Sequence, residues 1–215
     1  MKIRPNIVGV AVCAMALSAG TPAQAQNLLT DPGFESGGTL SPWITFNGAA
    51  FSQTVAHSGT WSMHDNGPGN FGVPGSFQTL SAAAGNAYDL TGFGFAPTTP
   101  GTGNTFGALQ ITFFSGANGT GSNLGTVATT PGNAQVSNEI TASSPTGSWI
   151  PLDTGTAIAP AGTQSMEVFT IVVDEHPADV YFDDLSLVQV VPEPSSVALA
   201  GVGALGLFAA LRRRK

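Results

Sequence analysis

Between Asn6 and Leu211 the chain has no lysine and no arginine, and all 13 acidic residues lie in that interval. The basic residues sit at the two ends, as Lys2 and Arg4 and as Arg212, Arg213, Arg214 and Lys215. No carboxylate of the body can therefore be neutralised by an ammonium or guanidinium group. A buried one must use backbone N–H groups, hydroxyls, a histidine, a raised pKa or a metal ion. Nucleic-acid binding is excluded, because tracking phosphates needs basic side chains. With 28 glycines, 15 prolines and 42% hydrophobic residues, the body has material for a core built of short strands and turns.

The basic ends read as routing signals. Lys2 and Arg4 precede an apolar run from Ile7 to Leu17, and Ala23-Gln24-Ala25 supplies a small-x-small cleavage site. Residues 1–25 are thus expected to be a signal peptide, exported by the Sec machinery and cut by signal peptidase before Gln26. The sole cysteine, Cys13, follows Val12 inside the apolar run and is no lipidation site. The processed body would hold no disulfide, catalytic thiol or cysteine metal site.

At the other end, residues 195–211 carry no charge. As a helix they would rise about 25 Å, slightly less than a hydrocarbon core of about 30 Å. Gly201, Gly203 and Gly206 are tolerated in membrane helices, and the basic cluster at 212–215 suits a stop-transfer end on the cytoplasmic side. A single transmembrane helix is expected here, with the acidic body across the membrane. The segment Val191-Pro192-Glu193-Pro194-Ser195, the apolar span and the basic end together resemble the PEP-CTERM sorting signal of Gram-negative bacteria. That resemblance implies processing by an exosortase near Pro192, Glu193 and Pro194. Anchoring in the inner membrane would be transient, with the cell surface or the exterior as destination.

The body, residues 26–190, alternates in the strand manner over Phe51–Val55, Phe77–Leu80, Tyr88–Phe95, Ala108–Phe114, Met166–Val173 and Val180–Val190. Pro97–Thr105 and Gly116–Asn123 read as loops, and no stretch has a helical period. An all-β domain follows, a β-sandwich of jelly-roll type. The order of its motifs runs from Asn27-Leu28-Leu29-Thr30-Asp31-Pro32-Gly33-Phe34-Glu35 to Val180-Tyr181-Phe182-Asp183-Asp184-Leu185. Leu40-Ser41-Pro42-Trp43 and Ser148-Trp149-Ile150 lie between. This series resembles the galactose-binding-like jelly rolls of carbohydrate-binding modules.

The resemblance implies one structural Ca²⁺. Glu35 and one of Asp183 or Asp184 would supply side-chain oxygens, and carbonyls of Gly33 and of the Ser58-Gly59 turn would complete the shell, as suits a hard cation with oxygen ligands. The competing reading has Glu35 capping a turn and the Asp pair facing water.

Polysaccharide binding needs rings to stack on sugar faces. The candidate rings are Trp43, Trp61, Trp149, Tyr88 and Tyr181. The resemblance implies core roles for Trp43 and Trp149. Trp61, beside Met63-His64-Asp65-Asn66, reads equally as core or ligand-facing, and Trp61 and Tyr88 are taken as the ligand-binding residues. Catalysis has weaker material. His57-Ser58 and Asp174-Glu175-His176 are adjacent in sequence only, no Gly-x-Ser-x-Gly elbow occurs, and His57 and His64 lack metalloprotease spacing. No catalytic residue is assigned. The expectation is a non-catalytic interaction domain of a cell-surface or extracellular-matrix protein. A true carbohydrate-binding module is the alternative, and a glycan-active hydrolase a minor one.

Overall fold

The period-two alternation of the body yields antiparallel strands throughout. The computed structural model describes residues 26–129 and 139–190. Its strands are β1 (Ile44–Phe46), β2 (Ala50–Ser52), β3 (Ser62–Gly67), β4 (Gly75–Ser81), β5 (Ala87–Phe95), β6 (Thr105–Phe114), β7 (Asn123–Ala128), β8 (Trp149–Ile158), β9 (Ser165–Asp174) and β10 (Ala178–Val190). They form two five-stranded sheets, in the orders β1-β4-β9-β6-β7 and β2-β3-β10-β5-β8. The sandwich expected from sequence is present, and no helix occurs among the described residues. The signal peptide and the transmembrane helix fall outside those residues.

Inward positions of both sheets make the core. On β5 Tyr88 and Leu90 are buried while Phe93 and Phe95 face outward. On β9 Met166, Val168 and Val172 are buried while Glu167 and Phe169 face outward. Phe34, Met63, Leu109, Ile111, Phe113, Phe182 and Leu187 fill the space between, each contributing about 1.5–3 kcal/mol of burial. The strand expected at Phe51–Val55 is only Ala50–Ser52, because the chain then turns back, with Ser62 Oγ bonded to the Val55 carbonyl.

The N-terminal segment lies beside β10, as the motif order suggested, but it is not a strand. The Leu28 N–H donates to Leu187 O at 2.8 Å and the Leu185 N–H to Pro32 O at 2.9 Å. Between them the Asn27 amide imitates a peptide group, accepting from Leu187 N at 3.0 Å and donating to Leu185 O at 2.9 Å. This seam carries Gly33 and Glu35 to the middle of β10.

Candidate functional site

β10 bulges between Asp183 and Ser186, and Asp184 there has φ 48, in the left-handed region. A bulge re-aims side chains, and strained non-glycine backbone concentrates at functional places. Here it brings two successive carboxylates towards the loop joining β2 to β3. Asp183, fully buried, accepts from His57 N (2.7 Å), Ser58 N (3.1 Å) and Asp184 N (2.7 Å). Burial still pushes its pKa up to about 6, against the three N–H bonds and with the Asp184 charge adding to the rise. Asp184 accepts from Ser58 Oγ (2.7 Å) and pairs with His57 Nδ1 (2.7 Å). Glu35 accepts from Thr60 N (2.9 Å) and Trp61 N (3.0 Å).

Gly33, Glu35, Ser58, Asp183 and Asp184 are thereby brought together. A Cβ on Gly33 would lie 3.5 Å from Asp184 Oδ1, 3.6 Å from Asp183 Oδ1 and 3.8 Å from Glu35 Cγ, and one on Gly59 would collide with the Glu35 carboxylate. This oxygen-rich cradle fits a hard cation in chemistry. Among the described residues no three His, Asp or Glu side chains are arranged to hold a metal by themselves, so any such ion would depend on backbone carbonyls too.

The same contacts bear on the serine–histidine pairing. Ser58 Oγ and the His57 ring both end on Asp184. The imidazole is stacked on Phe93 at 3.8 Å between centroids, at 16°. An activated serine requires the imidazole between hydroxyl and carboxylate, which is not this order. His176 is exposed, and His64 is stacked on Tyr181 and bonded to Asp179.

The rings named from sequence as ligand-binding candidates do not form an exposed group. Tyr88 is 2% exposed, inside the core, with its hydroxyl accepting from Ala83 N at 3.4 Å. Its inward register on β5 removes its ring from any ligand. Trp61 is half-buried against the core and its indole covers Gly37. Trp43 is buried, its indole N–H donating to Asp31 O at 2.9 Å.

A cluster of aromatic rings lies on the outer face of the first sheet. Phe77 and Phe169, partners across β4 and β9, are half-buried with centroids 5.5 Å apart and rings tilted 36°. Phe46 lies edge-on to Phe169 at 6.4 Å, over Gly75, where a Cβ would strike its ring. One register step along runs a polar row, Thr79–Glu167–Thr112–Thr126. Gln110 donates to Thr112 Oγ1 at 3.0 Å, Thr112 bonds Thr126 at 3.2 Å, and Thr79 donates to Glu167 at 3.5 Å. Burial raises the Glu167 pKa, and the Thr79 hydroxyl opposes the rise. Rings beside hydroxyls, an amide and a carboxyl can stack on and hydrogen-bond a sugar. The sequence reading missed this face because it weighed Trp and Tyr only. The visible signal was the odd-numbered set 165, 167, 169 on a strand whose even positions are the apolar core side.

Other carboxyls lie apart. Asp89 and Asp153 meet on the outer face of the second sheet, where burial and then the Asp153 charge and hydrogen bond raise the Asp89 pKa. A cleft of about 370 Å³ between Gly101–Phe106 and Glu139–Ser143 holds Glu139, pushed up to about 7 by burial.

Residues 190–215 match the family model described as the PEP-CTERM protein-sorting motif. No curated protein sequence matches the chain. The sandwich is similar to the CBM22-1 xylan-binding domain of Paenibacillus barcinonensis Xyn10C, at 16% identity and TM-score 0.52, covering 78% of this chain and 97% of that one. It is also similar to part of an arabinose-bound GH51 α-L-arabinofuranosidase, MgGH51, at 17% identity and TM-score 0.55, over 76% of this chain and 26% of that one. Carbohydrate-binding-module jelly rolls are thus among its structural neighbours. At these identities the likeness is one of fold.

Proposed function

We propose that the protein is exported, sorted by an exosortase through its C-terminal motif, and displayed at or released from the cell surface, where its sandwich binds a polysaccharide without cleaving it. The observation that carries the binding role is the outer face of the first sheet, with Phe46, Phe77 and Phe169 beside Thr79, Glu167, Thr112 and Gln110. The fold of its structural neighbours supports the same reading. Glu167 is the one carboxylate of that face, whereas glycoside hydrolysis uses two carboxyl groups flanking one bond. A structural Ca²⁺ held by Glu35, Asp183 or Asp184 and carbonyls of Gly33 and of the Ser58-Gly59 turn would tie the N-terminal segment, the His57–Trp61 loop and β10 together. It would stiffen the scaffold and take no part in binding chemistry.

The test is retention of the purified body, residues 26–190, on a panel of immobilised neutral polysaccharides, with release of reducing sugar measured alongside. Retention on some glycans and not others is expected, without sugar release. Phe77→Ala and Phe169→Ala should each weaken binding about tenfold, the equivalent of about 1.4 kcal/mol, while Trp61→Phe should bind as the parent does. Retention that survives both phenylalanine changes would remove the face from the reading. No retention on any glycan would leave a matrix interaction role instead.

A further inference from the structure

β10 ends at Val190, the residue at which the sorting motif begins. Only Val191-Pro192-Glu193-Pro194 separates it from the uncharged span that starts at Ser195. Five residue steps reach at most roughly 17 Å, and the headgroup region is about 5–8 Å deep on each side of the hydrocarbon. A ten-residue strand such as β9 is roughly 33 Å long. With its tail inserted, the body is held by a tether shorter than itself, and the end bearing Val190 must face the bilayer.

That end differs from the rest of the surface. Val190 pairs with Ala87, and Ala87 with Ile158, in one row across β10, β5 and β8. Ile158 is 67% exposed and Val190 38%; Leu28, 39% exposed, sits beside Leu187, three residues back along β10. Half of the large hydrophobic side chains exposed among the described residues thus gather where the chain leaves for the membrane. The loops of the same end, 82–86, 115–122 and 159–164, contain no charged residue. Asp174, Glu175 and Asp179 lie at the opposite end; the nearest carboxyls are Asp89, two residues from Ala87 along β5, and Glu167 on β9, whose carboxylate lies against Gly119 of the 115–122 loop. All of the 13 acidic residues except Glu193 belong to the body, which has no lysine or arginine. An anionic lipid surface therefore repels the body as a whole and gives basic-patch docking no foothold. The end that can lie against it is the one whose loops are uncharged and whose exposed rim carries Ile158, Val190 and Leu28.

We propose that this end, with Ile158, Val190 and Leu28 at its centre, is a lipid-contact surface seated on the bilayer while the sorting motif is inserted; the proposal rests on the sorting reading above. It makes the processing site an interfacial one, approached by the exosortase along the membrane and not from the open side of the sandwich.

The full chain carrying Cys13→Ser has no thiol, so a nitroxide can be placed at Ile158→Cys, or at Thr102→Cys on the opposite end as control. Both positions are exposed, so neither label disturbs the core. Each variant is reconstituted in phosphatidylethanolamine–phosphatidylglycerol vesicles and recovered by flotation. Collision with a water-soluble nickel chelate is expected to fall severalfold at position 158 relative to 102. A long Gly-Ser insertion between Val190 and Val191 should abolish that difference. Equal accessibility at the two positions in a chain that floats overturns the proposal and spares the sorting reading. Protection that persists with the insertion and grows with protein density marks a second copy as the occupant, and also overturns it. A chain that does not float removes the membrane anchor, and the proposal with it.

Discussion

At the scale of single residues, the absence of lysine and arginine is resolved differently at each buried carboxylate. Asp174, fully buried, is wrapped by the loop before β4 and accepts from Gly69 N at 3.0 Å and Val73 N at 2.7 Å. The loop takes up positive φ at Asn70, Phe71 and Val73 to do so. Asp183 takes three backbone N–H groups. Asp65, on the inner side of β3, has no hydrogen-bond partner for either oxygen. Burial pushes its pKa up to about 7, with the neighbouring Thr170 hydroxyl opposing the rise. The group is thus neutral in the fold at mildly acidic pH and ionised in the unfolded chain. With a folded pKa of about 7 against 3.9 unfolded, the folded state binds more protons between these values. Stability from Asp65 is therefore full below about pH 4 and is lost as pH rises towards 7, by on the order of 4 kcal/mol. Asp65→Asn removes the ionisation. Urea melts should find it more stable than the parent at pH 8, by about 2–4 kcal/mol, with the gap closing near pH 4. A variant less stable than the parent at pH 8 would refute the account.

At the scale of elements, the bulge of β10 depends on the pieces that meet at it. If Ca²⁺ binds there, a concentration of about a hundred times its Kd adds about 2.7 kcal/mol, and roughly 2–4 °C per kcal/mol gives a melting shift of roughly 5–10 °C. Calorimetric melts with and without chelator should show that shift in the parent and none in Glu35→Gln. Identical parent melts would dispose of the ion. This cradle was legible in the sequence because Gly33-Phe34-Glu35 and Asp183-Asp184 sit in recognisable motifs at the two ends of one domain. The strands that escaped the sequence reading have physical reasons too. β1, β7 and β8 are edge strands, and an edge tolerates what an interior strand does not. Pro151 sits in β8, where one side has no strand to receive an N–H, and Gly155 follows it with φ 66. β3 hid behind Asp65, a charge-bearing residue on the core side, which contradicts the apolar alternation used to find strands. The platform of Phe77 and Phe169 escaped because it exists only across β4 and β9. Ring neighbours on separate strands are set by register, which no local pattern prints.

At the scale of the whole molecule, the carboxyl groups whose pKa values shift all shift upward, because burial dominates at each and the body has no lysine or arginine to oppose it. Asp65 and Glu139 stand at about 7 and Asp183 at about 6, each raised first by burial, and Glu167 and Asp89 are raised as well. A raised carboxyl favours the folded state at low pH, so these groups act in one direction. Many soluble proteins lose stability on acidification because carboxylates paired with lysine or arginine must be protonated. Here no lysine or arginine is present in the body, and the two ion pairs found among the described residues are His57–Asp184 and His64–Asp179. Between pH 8 and pH 5 the body should gain stability, with Asp65 alone contributing about 2–3 kcal/mol. The comparison has to be made in chelator, since a bound cation would favour the ionised carboxylates and push the other way. Chemical denaturation of residues 26–190 in chelator should therefore show a higher midpoint at pH 5 than at pH 8. If calcium binds, saturating it should narrow the gap, because an ion beside Asp183 opposes the burial that raises its pKa. A chelated midpoint that falls steadily from pH 8 to pH 5 would mean that the buried carboxyls are ionised in the fold. The body would then need a counter-charge from outside its own sequence.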